Sequence, residues 1–420
     1  MTESFVHYLW KNNLLKPELQ TTSGQPITII QPGIHNEDAG PDFIQAIIKI
    51  EDEIWAGNVE IHLHTSDWYK HGHEKDKAYQ NIILHAVFEN DLSGQEPKEF
   101  PTLELKPFTD PCLWNRYQTF LMSKDWIPCA RNFHEAFPLT THSMLEISLV
   151  MRLERKIEEI SKIVTLNKNN LSEAFYIILT RNFGLKANIQ PFELLARSLP
   201  LNLLAKHKGN LFQIEALMFG QAGMLAEASD DYQRKLKEEF HFLKNKYYLT
   251  PIPVYLWKFL RMRPASFPTI RIAQLAALIN TSSHLLSKLS ECNSLIEMEE
   301  LLACRASNYW DTHYRFGEIS AVRPKNAGKD FIHSIIINSV IPFIHIQAVY
   351  TGKSGHQKHI ENLLSDLPPE NNQILRGWET LGYKAKDAFE SQALIELKTH
   401  YCNLKRCLDC RIGHSLLTQK

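Results

Sequence analysis

The chain has 420 residues, a formal net charge of −1, 22% charged and 44% hydrophobic residues. That length exceeds one ordinary core, so two or three domains are expected, and the charge balance excludes a globally basic protein; a nucleic-acid partner would need a local basic patch. Met1-Thr2-Glu3-Ser4 is not basic and no long apolar run follows, which argues against a signal peptide, while the most apolar stretch, 331–350, holds His333, Asn338, Pro342 and His345 and reads as buried helix rather than membrane span. A cytoplasmic protein with no membrane partner is expected, its oligomeric state open.

From the start of the chain, Phe5, Leu9, Leu14 and Leu15 among polar residues predict a helix from Glu3 to Leu15, ending before Pro17. The β-branched run Gln25 to Gln31, closed by Pro32-Gly33, predicts a strand, and His35 to Gly40 a polar loop leading to Asp42. Ile44 to Trp55, interrupted by Glu51-Asp52-Glu53, predicts two strands joined by a tight turn. Pairing Ile50 with Ile54 across that turn brings Asp42 opposite Glu60 to His62, so that two carboxylates meet on one sheet. Alternation puts Glu60, His62 and His64 on one face for chemistry, and Val59, Ile61 and Leu63 on the other for the core.

Ser66 and Asp67 cap an expected helix through Gln80, and Ile82 to Phe88 predicts a buried strand. Thr102 to Leu105 adds a strand within a region punctuated by prolines, 97–111. Beyond about 140 the pattern is helical: Leu145, Leu149, Leu153, Ile157 and Ile160 mark an amphipathic helix over Met144 to Val164. Further helices are expected at 171–183, 190–199, 211–225, 229–247, 252–260, 268–280, 293–304, 331–349, 371–380 and 385–401. No fixed-period repeat supports a solenoid, so an irregular bundle is expected.

Carboxylates on neighbouring strands suit a divalent cation, because they hold it rigidly and leave positions open for water and a phosphate oxygen. The order helix, three strands, helix, strand, with Pro41-Asp42 and Glu60-Ile61-His62 on adjoining strands, resembles the PD-(D/E)XK nuclease superfamily, whose core is a mixed sheet with flanking helices. Gly40-Pro41-Asp42-Phe43, Val59-Glu60-Ile61-His62, Ser66-Asp67-Trp68, His71-Gly72-His73 and Leu84-His85-Ala86-Val87 also resemble an uncharacterised bacterial family known only as a domain of unknown function. That second likeness extends along the chain through Arg263-Pro264, Phe267-Pro268 and Arg271 to the cysteine-rich end.

The nuclease resemblance implies Asp42 and Glu60 as catalytic carboxylates binding Mg²⁺ or Mn²⁺, the carbonyl of Ile61 as a further ligand, and Glu3 as an accessory acid. His62 stands where most members carry lysine, and could orient water, act as a base or bind the metal. The implied activity is hydrolysis of phosphodiester bonds in DNA or RNA. The exchange of lysine for histidine leaves open a catalytically inactive nucleic-acid-binding or scaffold protein on the same fold, and the bland alternative makes Asp42 and Glu60 turn-proximal surface carboxylates.

Six of the chain's 19 histidines, His35, His62, His64, His71, His73 and His85, fall within one short stretch. His62-x-His64 on a strand and His71-x-His73 at a helix start could assemble a metal site beside Glu60, which keeps a histidine-rich metal-dependent phosphoesterase in view. At most two or three of the six are expected near the metal, with His85 a satisfied core residue. Cys402-x4-Cys407-x2-Cys410 followed by His414 has the composition of a structural zinc site; an iron–sulfur cluster would need a fourth cysteine, for which Cys129 is a remote candidate, and ordinary reduced thiols are the plain reading. Arg261, Arg263 and Arg271 could hold phosphates, as could Lys405, Arg406 and Arg411, or they could make salt bridges and caps at a helix junction.

The expected architecture is an α/β N-terminal domain of restriction-endonuclease-like fold over 1–110, a connector over 111–140, a large all-α domain over 141–400 and a cysteine-rich tail over 401–420.

Overall fold

The structure, a computed structural model, describes residues 1–352 and 354–419, so that Lys353 of the expected helical domain and Lys420 of the expected tail lie outside the described residues. It divides into two compact units: Met1–Met144 together with Lys398–Lys420, and Leu145–Leu397. The cysteine-rich tail is part of the first unit.

The first unit is built on a seven-stranded mixed sheet. Its strands are β1 (Leu19–Gln20), β2 (Pro26–Gln31), β3 (Ile34–His35), β4 (Phe43–Ile50), β5 (Glu53–His64), β6 (Ile82–Glu89) and β7 (Thr102–Glu104), in the order β1-β2-β4-β5-β6-β7 with β3 beside β4. Pairs up to β4–β5 are antiparallel, and β5–β6 and β6–β7 are parallel. Helix α1 (Glu3–Lys11) lays Val6 and Trp10 against Phe43, Ile48, Val59, Ile61, Leu84, Ala86 and Leu103. It stops short of the expected Leu15 because Asn13 is left-handed, at φ 51°.

The hairpin turn is one residue tighter than expected. Ile50 faces Glu53 rather than Ile54, with Glu51 at φ 51°. Between Phe43 and Ala46 the register slips again at a bulge, where Gln45 is left-handed at φ 57° and donates its N–H to Oδ1 of Asn58 at 3.3 Å. The two shifts put Asp42 beside Glu60 and Ile61.

The crossover from β5 to β6 differs from expectation. In place of one helix through Gln80 stand α2 (Asp67–Lys70) and two 3₁₀ turns, His73–Lys75 and Lys77–Tyr79. Gly72, at φ 71°, ends the first piece, and the Asp76 carboxylate accepts the Ala78 N–H to start the last. The break turns the chain back toward the sheet at His71 and His73. In the expected connector lies α3 (Pro111–Met122), capped by Asp110 with proline at its first position.

The second unit is mostly helical. Its core carries the large buried side chains Tyr176, Phe183, Phe192, Phe219, Trp310, Phe343 and Trp378. Helices also form at Leu201–Ala205, Leu285–Glu291 and His356–Asp366, where none was expected, and a two-stranded sheet joins His313–Arg315 to Glu318–Ile319. The helix expected at 252–260 is only a 3₁₀ turn, Val254–Leu256, because Pro251 and Pro253 remove amide donors.

Lys329–Thr351 is long and apolar enough to cross a bilayer, but 67% of its most apolar window is buried inside the protein. It winds as a π-helix over Ile336–Val340, just before Pro342, whose ring cannot donate to the carbonyl four residues back. That carbonyl, on Asn338, accepts from Nδ2 of Asn182 at 3.2 Å. Nearby, the buried Glu396 carboxylate receives Arg152 at 3.3 Å and Arg155 at 2.7 Å, and the Lys156 ammonium donates to Asn338 Oδ1 at 2.8 Å.

Candidate functional site

On the sheet, Asp42 and Glu60 clasp each other through the backbone. The Asp42 N–H donates to Oε2 of Glu60 at 3.1 Å, and the Ile61 N–H donates to Oδ2 of Asp42 at 2.9 Å. Ile61 thus enters the site through its N–H. Gly57 allows the approach of β5 to the chain before β6: a Cβ there would stand 2.5 Å from Cγ2 of Ile83 and 2.8 Å from the Asn81 carbonyl.

Imidazoles surround this pair. His62 Nε2 lies 3.4 Å, and His73 Nε2 3.3 Å, from Oε1 of Glu60. His71 Nδ1 is 3.2 Å from His62 Nε2, and the other ring nitrogen of His62 is 2.9 Å from Nε2 of His85 on the neighbouring strand. One ring nitrogen from each of His62, His71 and His73 falls within 4.8 Å of the others, so this triad could hold a metal ion. Tyr79 stacks on His73 at 3.9 Å between ring centres, and Trp68 packs on both His73 and His85.

The opposite side of Asp42 is occupied by His7, which sequence reasoning did not single out. Its Nε2 is 3.3 Å from Oδ2 of Asp42, and its Nδ1 is 3.4 Å from Nε2 of His35. The signal was available: His7 lies one turn from Glu3 on α1, so the two share a helix face. Glu3 is exposed at the rim, where desolvation of its carboxyl outweighs the pull of His7 and raises it above the ordinary value.

Burial sets the protonation states. Desolvation, reinforced by the Asp42 charge, pushes Glu60 up to about 8. Desolvation also acts on Asp42, but the His7 hydrogen bond and charge and the Ile61 N–H outweigh it and hold the group below its ordinary value. Burial, with His73 and His71 beside it, pushes His62 down to about 4, and burial with His62 beside it takes His85 to about 3. At neutral pH these two rings carry no charge. Nε2 of His7, Nε2 of His73 and Nδ1 of His85 are buried without a hydrogen-bond partner.

Other sequence-predicted residues lie apart from this cluster. His64 is exposed, and its backbone N–H caps onto Asp67 at 3.0 Å. His414 Nδ1 is 2.9 Å from the Tyr8 hydroxyl, while Cys407 and Cys410 are buried and Cys402 half-buried. In the second unit, Arg261 and Arg263 are exposed, but Arg271 is buried, stacked 3.5 Å from the centre of the Phe331 ring and donating to Gln274 Oε1 at 2.8 Å, which leaves no open face for a phosphate. That unit also holds a cavity of about 480 Å³ lined by Phe175, Tyr176, Leu179, Glu173 and His284, without a paired-carboxylate and imidazole set.

No curated protein matches the chain, and no solved structure does. One family, described as a protein of unknown function (DUF2851), matches residues 3–373. The match takes in α1, the whole sheet with Asp42, Glu60 and the histidine cluster, and most of the helical unit. The chain therefore belongs to the DUF2851 family.

Proposed function

We propose that the first unit is a metal-dependent hydrolase of phosphodiester bonds in DNA or RNA, on a restriction-endonuclease-like sheet related to the PD-(D/E)XK nucleases. One observation carries the reading: two buried carboxylates meet imidazole nitrogens that lack hydrogen-bond partners, at Glu60–His73 and Asp42–His7. Unpaired lone pairs and carboxylate oxygens aimed at one another fit a shared cation, since an empty pairing of that kind carries a desolvation cost without compensation. Glu60, His62, His71 and His73 would hold the ion, with Asp42 adjoining. Mixed oxygen and nitrogen donors favour Mn²⁺ over Mg²⁺. The ion would polarise a phosphoryl oxygen and acidify bound water.

The chain's own residues supply the rest. His62 and His85 share one proton between Nδ1 and Nε2; with that proton on His62, its Nε2 lone pair faces Glu60 and His71. His7 and the Ile61 N–H keep Asp42 ionised and fixed. Tyr79 and Trp68 fix the ring of His73 and exclude water from its far side. The same reading places the protein in the cytoplasm of a bacterium with nucleic acid as its partner.

The test is cleavage of labelled DNA and RNA in Mn²⁺ by wild type, Asp42→Asn and Glu60→Gln. Loss of cleavage in both variants with circular dichroism unchanged is the expected result; undiminished activity in both eliminates the reading. The histidine cluster favours a second reading, a phosphoesterase for small substrates, which turnover of a chromogenic phosphodiester without cleavage of nucleic acid would select. Salt-dependent binding of nucleic acid with no hydrolysis of either substrate would select an inactive binding protein.

A further inference from the structure

We propose that Cys129, Cys402, Cys407 and Cys410 form a four-thiolate site for a thiophilic metal centre, either one zinc ion or an iron–sulfur cluster. Three separate segments converge on it. Cys129 ends a tight turn in which the Ala130 N–H donates to the Ile127 carbonyl at 3.1 Å. Cys402 is the last residue of the π-helical stretch Leu397–Cys402, and Cys407 and Cys410 bracket the turn before the helix Arg411–Thr418.

All four are free thiols, and they stand close enough for their charges to act on one another: Cys402 feels Cys410, Cys129 and Cys407, and Cys129 feels Cys410 and Cys407. His414 is not among these neighbours and is bonded to Tyr8. The fourth ligand is therefore Cys129, distant in sequence, rather than the nearer histidine.

The local backbone is built for a thiolate. Cys410 precedes the first turn of its helix, and the amides of Ile412 and Gly413 donate to its sulfur. Gly413 folds so tightly over Cys407 that a Cβ would sit 2.2 Å from the Cys407 carbonyl oxygen. Lys398 acts on Cys402 and Lys405 on Cys407, as cations offsetting an anionic ligand set would. With no metal to pair with, burial and then mutual repulsion push Cys129 and Cys407 to about 12 and Cys410 to about 11, so four thiols are packed together at the cost of their solvation. A bound metal reverses that sign: it takes the thiolates and releases their protons.

The test is analysis of zinc, iron and acid-labile sulfide in full-length protein purified anaerobically without added metal. Stoichiometric zinc, or iron with matching sulfide and a visible absorption band that bleaches on reduction, is the expected result. Cys129→Ser should lose that metal as fully as Cys407→Ser, while His414→Asn and the exposed Cys112→Ser keep it; His73→Ala accounts for any metal beside Glu60. Neither metal in the wild type, or full retention in Cys129→Ser, overturns the proposal. Should the serine variants fail to fold, alkylation of native wild type decides: the four thiols should be shielded until the metal is stripped, and equal alkylation before and after stripping also overturns it.

Discussion

Nε2 of His73 stands 3.3 Å from Oε1 of Glu60, buried, with no hydrogen bond to any group. If a cation completes that contact, His73→Ala weakens Mn²⁺ binding by about tenfold or more, and His7→Ala, which acts through Asp42, weakens it by about 10- to 100-fold. Calorimetric titration of each variant against wild type measures this. Unchanged affinity in both would mean that the imidazoles serve packing alone.

Gly57→Ala should destabilise the first unit by about 1–3 kcal/mol, since its Cβ would press on Ile83 and on the Asn81 backbone, which cannot swing away. Urea denaturation followed by tryptophan fluorescence reports the shift. An unmoved midpoint would show that β5 and β6 separate freely at this end.

In the second unit, Glu396→Ala leaves the buried Arg152 and Lys156 without their nearby carboxylate. The expected loss is about 3–5 kcal/mol, the usual result of deleting one partner of a buried pair. Thermal unfolding checks it; a loss no larger than that of an exposed pair such as Lys162–Glu158 contradicts the account.

Glu215 is fully buried, and desolvation pushes it up to about 7 against the pull of the Tyr232 hydroxyl. Its ordinary value is 4.5, so between those limits the folded state holds a proton that the unfolded state has released. Stability from this group is therefore full below pH 4.5, falls as pH rises through the window, and is flat above about 7. Glu215→Gln should flatten that fall in melting temperature between pH 5 and pH 8. Parallel curves for variant and wild type would remove Glu215 as the cause.

The strands were legible because period-two alternation over Glu60, His62 and His64 and the turn at Glu51-Asp52 are local signals. The pairing of Asp42 with Glu60 was legible for the same reason, although the bulge at Gln45 was not: nothing in a Gln side chain announces a left-handed residue. The helix expected through Gln80 failed at Gly72, where one positive φ overrode the pattern. His7 and Cys129 were missed or set aside because each joins its partners only through tertiary folding, which spacing along the chain does not encode. Arg271 was misjudged because an arginine lying flat on Phe331 reads, in sequence, like any other cation.

The Tyr8 hydroxyl meets His414 at 2.9 Å, and Nη1 of Arg116 donates to the Leu417 carbonyl at 2.9 Å. The first unit is thus closed by residues that leave the ribosome last. At about 5–20 residues per second, its sheet waits for all of 145–397 to be synthesised before Ile412, Leu416 and Leu417 can cover their places on it. During that interval the nascent chain presents an unfinished apolar surface, and the order of synthesis, rather than any contact in the finished fold, makes this unit a client for chaperones.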